Sequence, residues 1–260
     1  MSVLDRFRLD GKRLFITGGS RGLGRAMALA IAEAGADVVL VGRDAASLDK
    51  TAREIENRGR TTKTIVADVG VPAEAERACR RALDEAGQID ILINNVGGRR
   101  IDIPTSELPL TQWQSILDLN LTSTFMCTKL IGGAMVARGG PGRVINVASI
   151  SGLVANRGIG GRSYETSKAA VIHFTRATAA DWAPHGVTVN AIAPGGFMTE
   201  PNQRWAELNP AMIATFKSQI PAGDFGIPED LGPLAVYLAC DASRYMTGAT
   251  LVIDGGYTLW

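Results

Sequence analysis

Short apolar runs rich in β-branched residues alternate along this chain with longer amphipathic stretches, the pattern of βαβ units stacking into a parallel sheet. Strands are predicted at Arg13–Thr17, Asp37–Val41, Thr64–Ala67, Ile89–Asn94, Arg143–Val147, Thr188–Ile192 and Leu251–Ile253. Val38–Val41 and Ile91–Ile93 are apolar without alternation, which suits strands covered by helices on both faces. One helix should begin near Pro72 and end just before Gly87, since proline is tolerated in a first helical turn and glycine follows a last one. Another should occupy Ala26–Ala34. The longest helical period runs from about Thr111 to Ala137, with Trp113, Ile116, Leu117, Phe125 and Leu130 as apolar anchors. Asn156–Arg162 has turn residues and no apolar period, and reads as a loop. The expected fold is α/β, an open sheet wound with helices front and back, in a single domain over residues 1–260.

With 46% hydrophobic and 20% charged residues, the chain can bury a large core and lacks the signature of disorder. A formal net charge of +1 lacks the electrostatic footprint expected on nucleic acid or an anionic membrane, so neither is expected as a partner. No apolar run approaches the roughly 18 residues of a membrane span. The opening MSVLDRFRLDGKR has no apolar signal-peptide run, which makes the cytoplasm the expected address. Cys79, Cys127 and Cys240 are dispersed with no CxxC pairing, and the only histidines are His173 and His185. Buried spectator thiols and no metal are the expectation. A small-molecule ligand remains.

Thr17–Gly24, TGGSRGLG, joins the first predicted strand to the first helix. In that context glycines allow a tight turn, a close approach of backbone to a pyrophosphate, and helix-on-sheet packing. The helix N-terminus adds unpaired N–H groups and a positive dipole end. The next strand ends Val41-Gly42-Arg43-Asp44, where the chain should reach an adenosine ribose. Gly42 stands where an acid would accept from a 2′-hydroxyl, and Arg43 with Arg21 could clamp a 2′-phosphate, so NADP(H) is favoured. Shifted by one residue, Asp44 becomes the ribose acceptor and the cofactor NAD(H); in the plainest reading, Arg43 is solvated and Asp44 caps the next helix.

Tyr164 and Lys168 in YETSK stand four residues apart in a helical stretch, on one face. A phenol with a pKa of about 10 is a poor base at neutral pH, and a neighbouring ammonium favours its ionised form. Taken with the other motifs, this pair makes the chain resemble the short-chain dehydrogenase/reductase family. The resemblance spans essentially the whole chain: TGGSRGLG, Asp68-Val69, NNVG (Asn94–Gly97), Asn120, Ser149, YETSK, PGGFMT (Pro194–Thr199) and IDGGY (Ile253–Tyr257).

The resemblance implies a Rossmann-type doubly wound, mostly parallel seven-stranded sheet, assembled as a homotetramer or homodimer. It implies hydride transfer between a nicotinamide cofactor and a small carbonyl or alcohol substrate. Tyr164 would be the acid in reduction and the base in oxidation, Lys168 would also hold the nicotinamide ribose, and Ser149 would bond the substrate oxygen. Asn120 would hold a water linking Lys168 to solvent. Gly18, Ser20, Arg21, Gly22, Leu23 and Gly24 would form the phosphate cradle beside Arg43. Asp68 and Val69 would meet the adenine, Asn95 and Gly97 the adenosine ribose, and Pro194, Gly195, Phe197 and Thr199 the nicotinamide end; Asn94 would be a brace. Each of these polar residues also has a purely structural reading: Ser149 could close a strand, and Asn120 could tie two segments together.

The chain departs from the family at three places: Val96 replaces an alanine, Ser123 replaces a glycine in a helix that often packs on a neighbouring subunit, and the interval from Ser149 to Tyr164 is two residues longer. Around the expected pocket lie Arg99, Arg100, Arg157, Arg162 and Arg204, the last followed by Trp205, Met212 and Phe216 in a lid-like amphipathic stretch. Converging arginines would suit a substrate carboxylate or phosphate, although solvation is the more ordinary use of loop arginines.

Overall fold

A computed structural model describes residues 2–98, 100–156 and 160–259; Arg99, Arg157 and the side chains of Pro201 and Trp205 lie outside the described part. Among the described residues seven strands form one sheet: β1 (Arg13–Thr17), β2 (Asp37–Gly42), β3 (Thr62–Val66), β4 (Ile91–Asn94), β5 (Gly142–Val147), β6 (Val187–Pro194) and β7 (Thr250–Ile253). Their order is β3-β2-β1-β4-β5-β6-β7, and every pairing is parallel, so the expected mostly parallel sheet is entirely so. Chain order reverses between β1 and β4. At that switch point the loops leaving two adjacent strands diverge and open a crevice, the general ligand position of such sheets.

Eight helices matter to the site: α1 (Gly22–Glu33), α2 (Ala45–Glu56), α3 (Pro72–Ala86), α4 (residues 110–137), α5 (Arg162–Trp182), α6 (Glu200–Leu208), α7 (Pro210–Ser218) and α8 (Leu231–Ala239). Alternate residues of β1 point to opposite faces. Leu14 and Ile16 pack with α1, α2 and α8. Phe15 packs with α3, α4 and α5. β5 and β6 are buried along their whole length, and the polar side chains they carry, Arg143, Asn146, Thr188 and Asn190, are buried with them. No helix among the described residues is long and apolar enough to cross a membrane.

Two features of the helices were not anticipated. α1 begins at Gly22 rather than Ala26, so the last part of the glycine motif is its first turn. α4 is continuous over the predicted span but contains two wider π turns, Asp118–Thr122 and Thr128–Gly132, between its α-helical parts. Such turns arise where local packing repays a displaced hydrogen bond, and they are frequent at functional sites. Phe125, expected as a core anchor, is 45% exposed and meets Phe174 edge-on, because the first π turn rotates the rest of the helix. Ser123 is buried, and its hydroxyl donates to the Leu119 carbonyl. The predicted third strand starts two residues earlier and ends one earlier, at Thr62–Val66, and the fourth starts at Ile91, preceded by Asp90, whose carboxylate accepts from the Arg13 N–H.

Candidate active site

The glycine loop is held by hydrogen bonds that only backbone and short side chains can make. Thr17 Oγ1 accepts from the N–H groups of Asn95 and Val96 at 3.0 and 3.1 Å. Asn95 Nδ2 donates to the carbonyls of Thr17 and Gly18 at 3.0 and 3.2 Å. Asn95 thus joins Asn94 as a brace across the switch point, with its amide spent on the loop. Gly18 and Gly22 sit at φ +66° and +55°, which side chains rarely adopt. A Cβ on Gly24 would collide with the Gly18 carbonyl and reach Asn95 Nδ2 at 2.5 Å. Arg21 is the N-cap residue of α1 and makes no side-chain cap bond, so the first-turn N–H groups, including those of Leu23 and Gly24, have no competing side chain. This cradle fits a pyrophosphate: backbone is exposed at a helix N-terminus, and glycines keep side chains out of the way.

At the end of β2, Asp44 Oδ1 accepts from the Ser47 N–H at 2.7 Å and caps α2, which accounts for its lowered pKa. The capping reading therefore holds. Arg43 is exposed and stands 3.5 Å from Asp68, which otherwise closes its own turn by accepting from the Gly70 N–H. Val69 is buried beside them. Ser20 is held through its carbonyl, which accepts from Thr51 Oγ1. Thr199, at the start of α6, approaches Gly22, so the segments that follow β6 and β1 meet; a Cβ on Gly22 would be 3.5 Å from its methyl. Pro194 and Phe197 are buried, and Gly195 passes so close to Asp254 that a Cβ would lie 2.7 Å from its Cα.

On the other side of the switch point the polar side chains converge. Lys168 is 2% exposed, donates to the Val147 carbonyl at 2.8 Å, and stands 5.9 Å from the centre of the Tyr164 ring. Burial lowers its pKa to about 8. Burial also raises the Tyr164 pKa, opposed by a hydrogen bond with Ser149 and by the charge of Arg100. Ser149, two residues past β5, is in extended conformation, with its Oγ accepting from the Ser151 N–H. Asn120 lies fully buried in the first π turn, and its side chain clasps Gly98, accepting from its N–H at 2.8 Å and donating to its carbonyl at 3.1 Å. Gly97 is wedged between the groups: a Cβ there would meet Lys168 Nζ at 2.7 Å and Asn120 Oδ1 at 2.8 Å. All four expected catalytic residues are therefore gathered within one region beside the cradle. Asn94 braces as expected, donating to Asn146 Oδ1 at 2.8 Å across the β4–β5 pairing and to Thr128 Oγ1 in the second π turn.

Sequence reasoning missed Glu165, which is 8% exposed and accepts from Arg162, Asn156 and Arg100. Burial would raise its pKa, and the bonds from Arg162 and Asn156 hold it low instead. An acidic residue in the first turn of a helix that follows an arginine-bearing loop was the available signal. Arg100 and Arg162 are thus engaged rather than solvated, while Arg204 is an exposed partner of Glu200 one helical turn away. Phe216 of α7 stacks between Phe225 and Tyr257 at 5.4 and 4.9 Å, which anchors the lid-like segment by one face; Met212 is 44% exposed on it. The bulk of Val96 rests on the cradle, 3.1 Å from where a Gly18 side chain would begin.

Residues 18–258 match a family model described as enoyl-(acyl carrier protein) reductase. The chain is 36% identical to galactitol 2-dehydrogenase of Rhizobium johnstonii over 260 residues, 100% of both chains. Among solved structures it resembles a short-chain type dehydrogenase/reductase from Mycobacterium marinum, with TM-score 0.90, 40% identity and 99% of each chain covered. It also resembles a gluconate 5-dehydrogenase from Burkholderia cenocepacia solved with NADP and tartrate, with TM-score 0.88, 35% identity and 100% of each chain covered.

Proposed function

The chain belongs to the short-chain dehydrogenase/reductase family, and on that premise we propose that it is an NADP-dependent oxidoreductase interconverting a ketone and a secondary alcohol, with Tyr164 as the acid and base. The single observation carrying this is the convergence of Tyr164, Lys168 and Ser149, from two separate elements, beside the glycine cradle. The cofactor supplies or accepts the hydride, and the protein supplies position and charge. In reduction the Tyr164 hydroxyl gives its proton to the carbonyl oxygen, which becomes the alcohol oxygen; oxidation reverses the transfer. The Ser149 hydroxyl donates to the same oxygen and fixes its distance from the phenol. Lys168, buried as a cation below its pKa of about 8, favours phenolate in the oxidative direction, with Asn120 as the polar link by which protons return from solvent.

Gly18, Ser20, Arg21, Gly22, Leu23 and Gly24 would hold the phosphates, Asp68 and Val69 the adenine, Asn95 (through its carbonyl groups, its N–H groups being spent on the glycine loop) and Gly97 the adenosine ribose, and Pro194, Gly195, Phe197 and Thr199 the nicotinamide. NADP is preferred to NAD because the acid nearest the end of β2, Asp44, is committed to its helix cap, leaving Arg43 to face a 2′-phosphate. A polyol or sugar-acid substrate is supported by the named activities of the relatives. The whole chain acts as one domain, and exposed Phe125 beside Phe174 supports a homotetramer built through the face of α4 and α5.

NADP reduction with galactitol and gluconate, and NADPH oxidation with a panel of ketones, should show turnover that falls by at least about a hundredfold in Tyr164→Phe. Equal turnover by that variant would remove Tyr164 from the mechanism. Nucleotide binding without turnover of any substrate would favour a non-catalytic sensor.

A further inference from the structure

Arg100 follows the turn after β4, and its side chain is only 26% exposed. Its guanidinium donates to Ser151 Oγ at 2.8 Å and to the Gly160 carbonyl at 2.6 Å, and lies 3.4 Å from Glu165 Oε1. The carbon at its centre stands 4.9 Å from the centroid of the Tyr164 ring, over its face. The fit is close enough that a side chain on Gly161, already at φ +95°, would collide with the Arg100 stem. Each terminal nitrogen donates within the protein, and what Arg100 presents to the Tyr164 ring is the charge and bulk of its guanidinium.

We propose that Arg100 is a positioning residue for Tyr164: clamped by Ser151, Gly160 and Glu165, its guanidinium sets the plane of the phenol ring and holds positive charge against it. The inference rests on the reading of Tyr164 as the proton-transfer group. A cation over an aromatic face is attracted to it, and more strongly once the ring carries the charge of a phenolate. Facing Tyr164 are Lys168 from α5, Ser149 from just beyond β5, and Arg100 from the β4 loop; Glu165, the next residue of α5, acts through its pairing with Arg100, and Tyr257 lies near enough to feel both Arg100 and Glu165. Glu165 partly neutralises Arg100 but also serves Arg162, and Asp102 packs against Gly160, whose carbonyl Arg100 holds; among these groups it is the charge of Arg100 that acts on Tyr164.

That arrangement makes opposite predictions for the two partners. Tyrosinate absorbance is followed against pH in the full-length protein with NADP present, each variant being compared with its own Tyr164→Phe double to isolate the Tyr164 titration. Arg100→Gln should raise that titration by about one pH unit, and Arg100→Lys, which keeps charge but loses the fork, by less. Glu165→Gln should lower it, since it removes the neutralising charge and keeps an acceptor. Simple loosening of the loop would move the two single variants in the same direction. If Arg100→Gln fails to fold by near-ultraviolet circular dichroism, the Lys and Glu165 variants carry the test. An unmoved or lowered titration in Arg100→Gln, or a raised one in Glu165→Gln, overturns the proposal. Because the readout needs no turnover, a shift in a protein that turns over no substrate would count against the oxidoreductase reading alone.

Discussion

The two banks of the switch point hold their ligand groups in opposite ways. On the β1–α1 side the working surface is backbone: Gly18, Gly22 and Gly24 clear a path, and Thr17 and Asn95 tie the loop to the neighbouring strand. On the β5–α5 side it is buried side chain: Lys168, Asn120 and Glu165 are drawn from α4 and α5 and satisfied by long-range bonds. A backbone cradle tolerates no added volume but carries no net charge. A buried polar cluster has room already allotted to it, and it pays in desolvation.

The contrast can be broken most severely at Gly24. Gly24→Ala places a methyl into the Gly18 carbonyl and against Asn95 Nδ2, and the loop must move. NADPH affinity, read by its fluorescence, should fall by about a hundredfold with loss of stability of about 1–3 kcal/mol; unchanged affinity would mean that the cradle is not the phosphate site.

On the opposite bank, removal of the functional group should stabilise. Lys168 titrates at about 8 in the folded chain against an ordinary 10.5, so its charge is disfavoured by folding. That cost is fully present below pH 8 and is relieved as pH rises from there towards 10.5. Lys168→Met should therefore make the cofactor-free protein more stable by about 2 kcal/mol near neutrality, the pKa cost less the lost bond to Val147, while nearly abolishing turnover. Denaturant melts at pH 7 and pH 9.5 should show that advantage shrinking at the higher pH; a destabilised variant at pH 7 would mean that Lys168 is held favourably.

The smallest effect belongs to Arg43 at the exposed rim. Arg43→Ala should weaken NADPH by about tenfold and leave NADH unchanged, because a single solvated guanidinium contributes modestly. Equal loss for both nucleotides would reassign Arg43 to the adenosine they share.

The banks also differ in how far they could be read beforehand. The cradle was legible because its requirements are local: glycines at fixed offsets between a strand and a helix allow few other uses. Tyr164 and Lys168 were legible by helical spacing, and Asn120 and Ser149 only through the family pattern. Glu165 escaped because its burial depends on Arg162, Asn156 and Arg100, which meet it only after the chain has closed. Phe125 misled because an apolar period predicts one inward face, and the π turn at Asp118–Thr122 changes which face that is.

The order of residues alone determined the alternation of strand and helix, the strands buried on both faces, the position of the glycine turn and the pairing of phenol with ammonium. These follow from periodicity and backbone conformation, which act over a few residues. Tertiary structure alone decided that Asp44 caps a helix, that Asn95 spends its amide on the glycine loop, and that Arg100 lies over Tyr164 rather than in solvent. Those outcomes depend on which polar group reaches which partner first as water is excluded, and that competition is settled between segments that the chain keeps far apart.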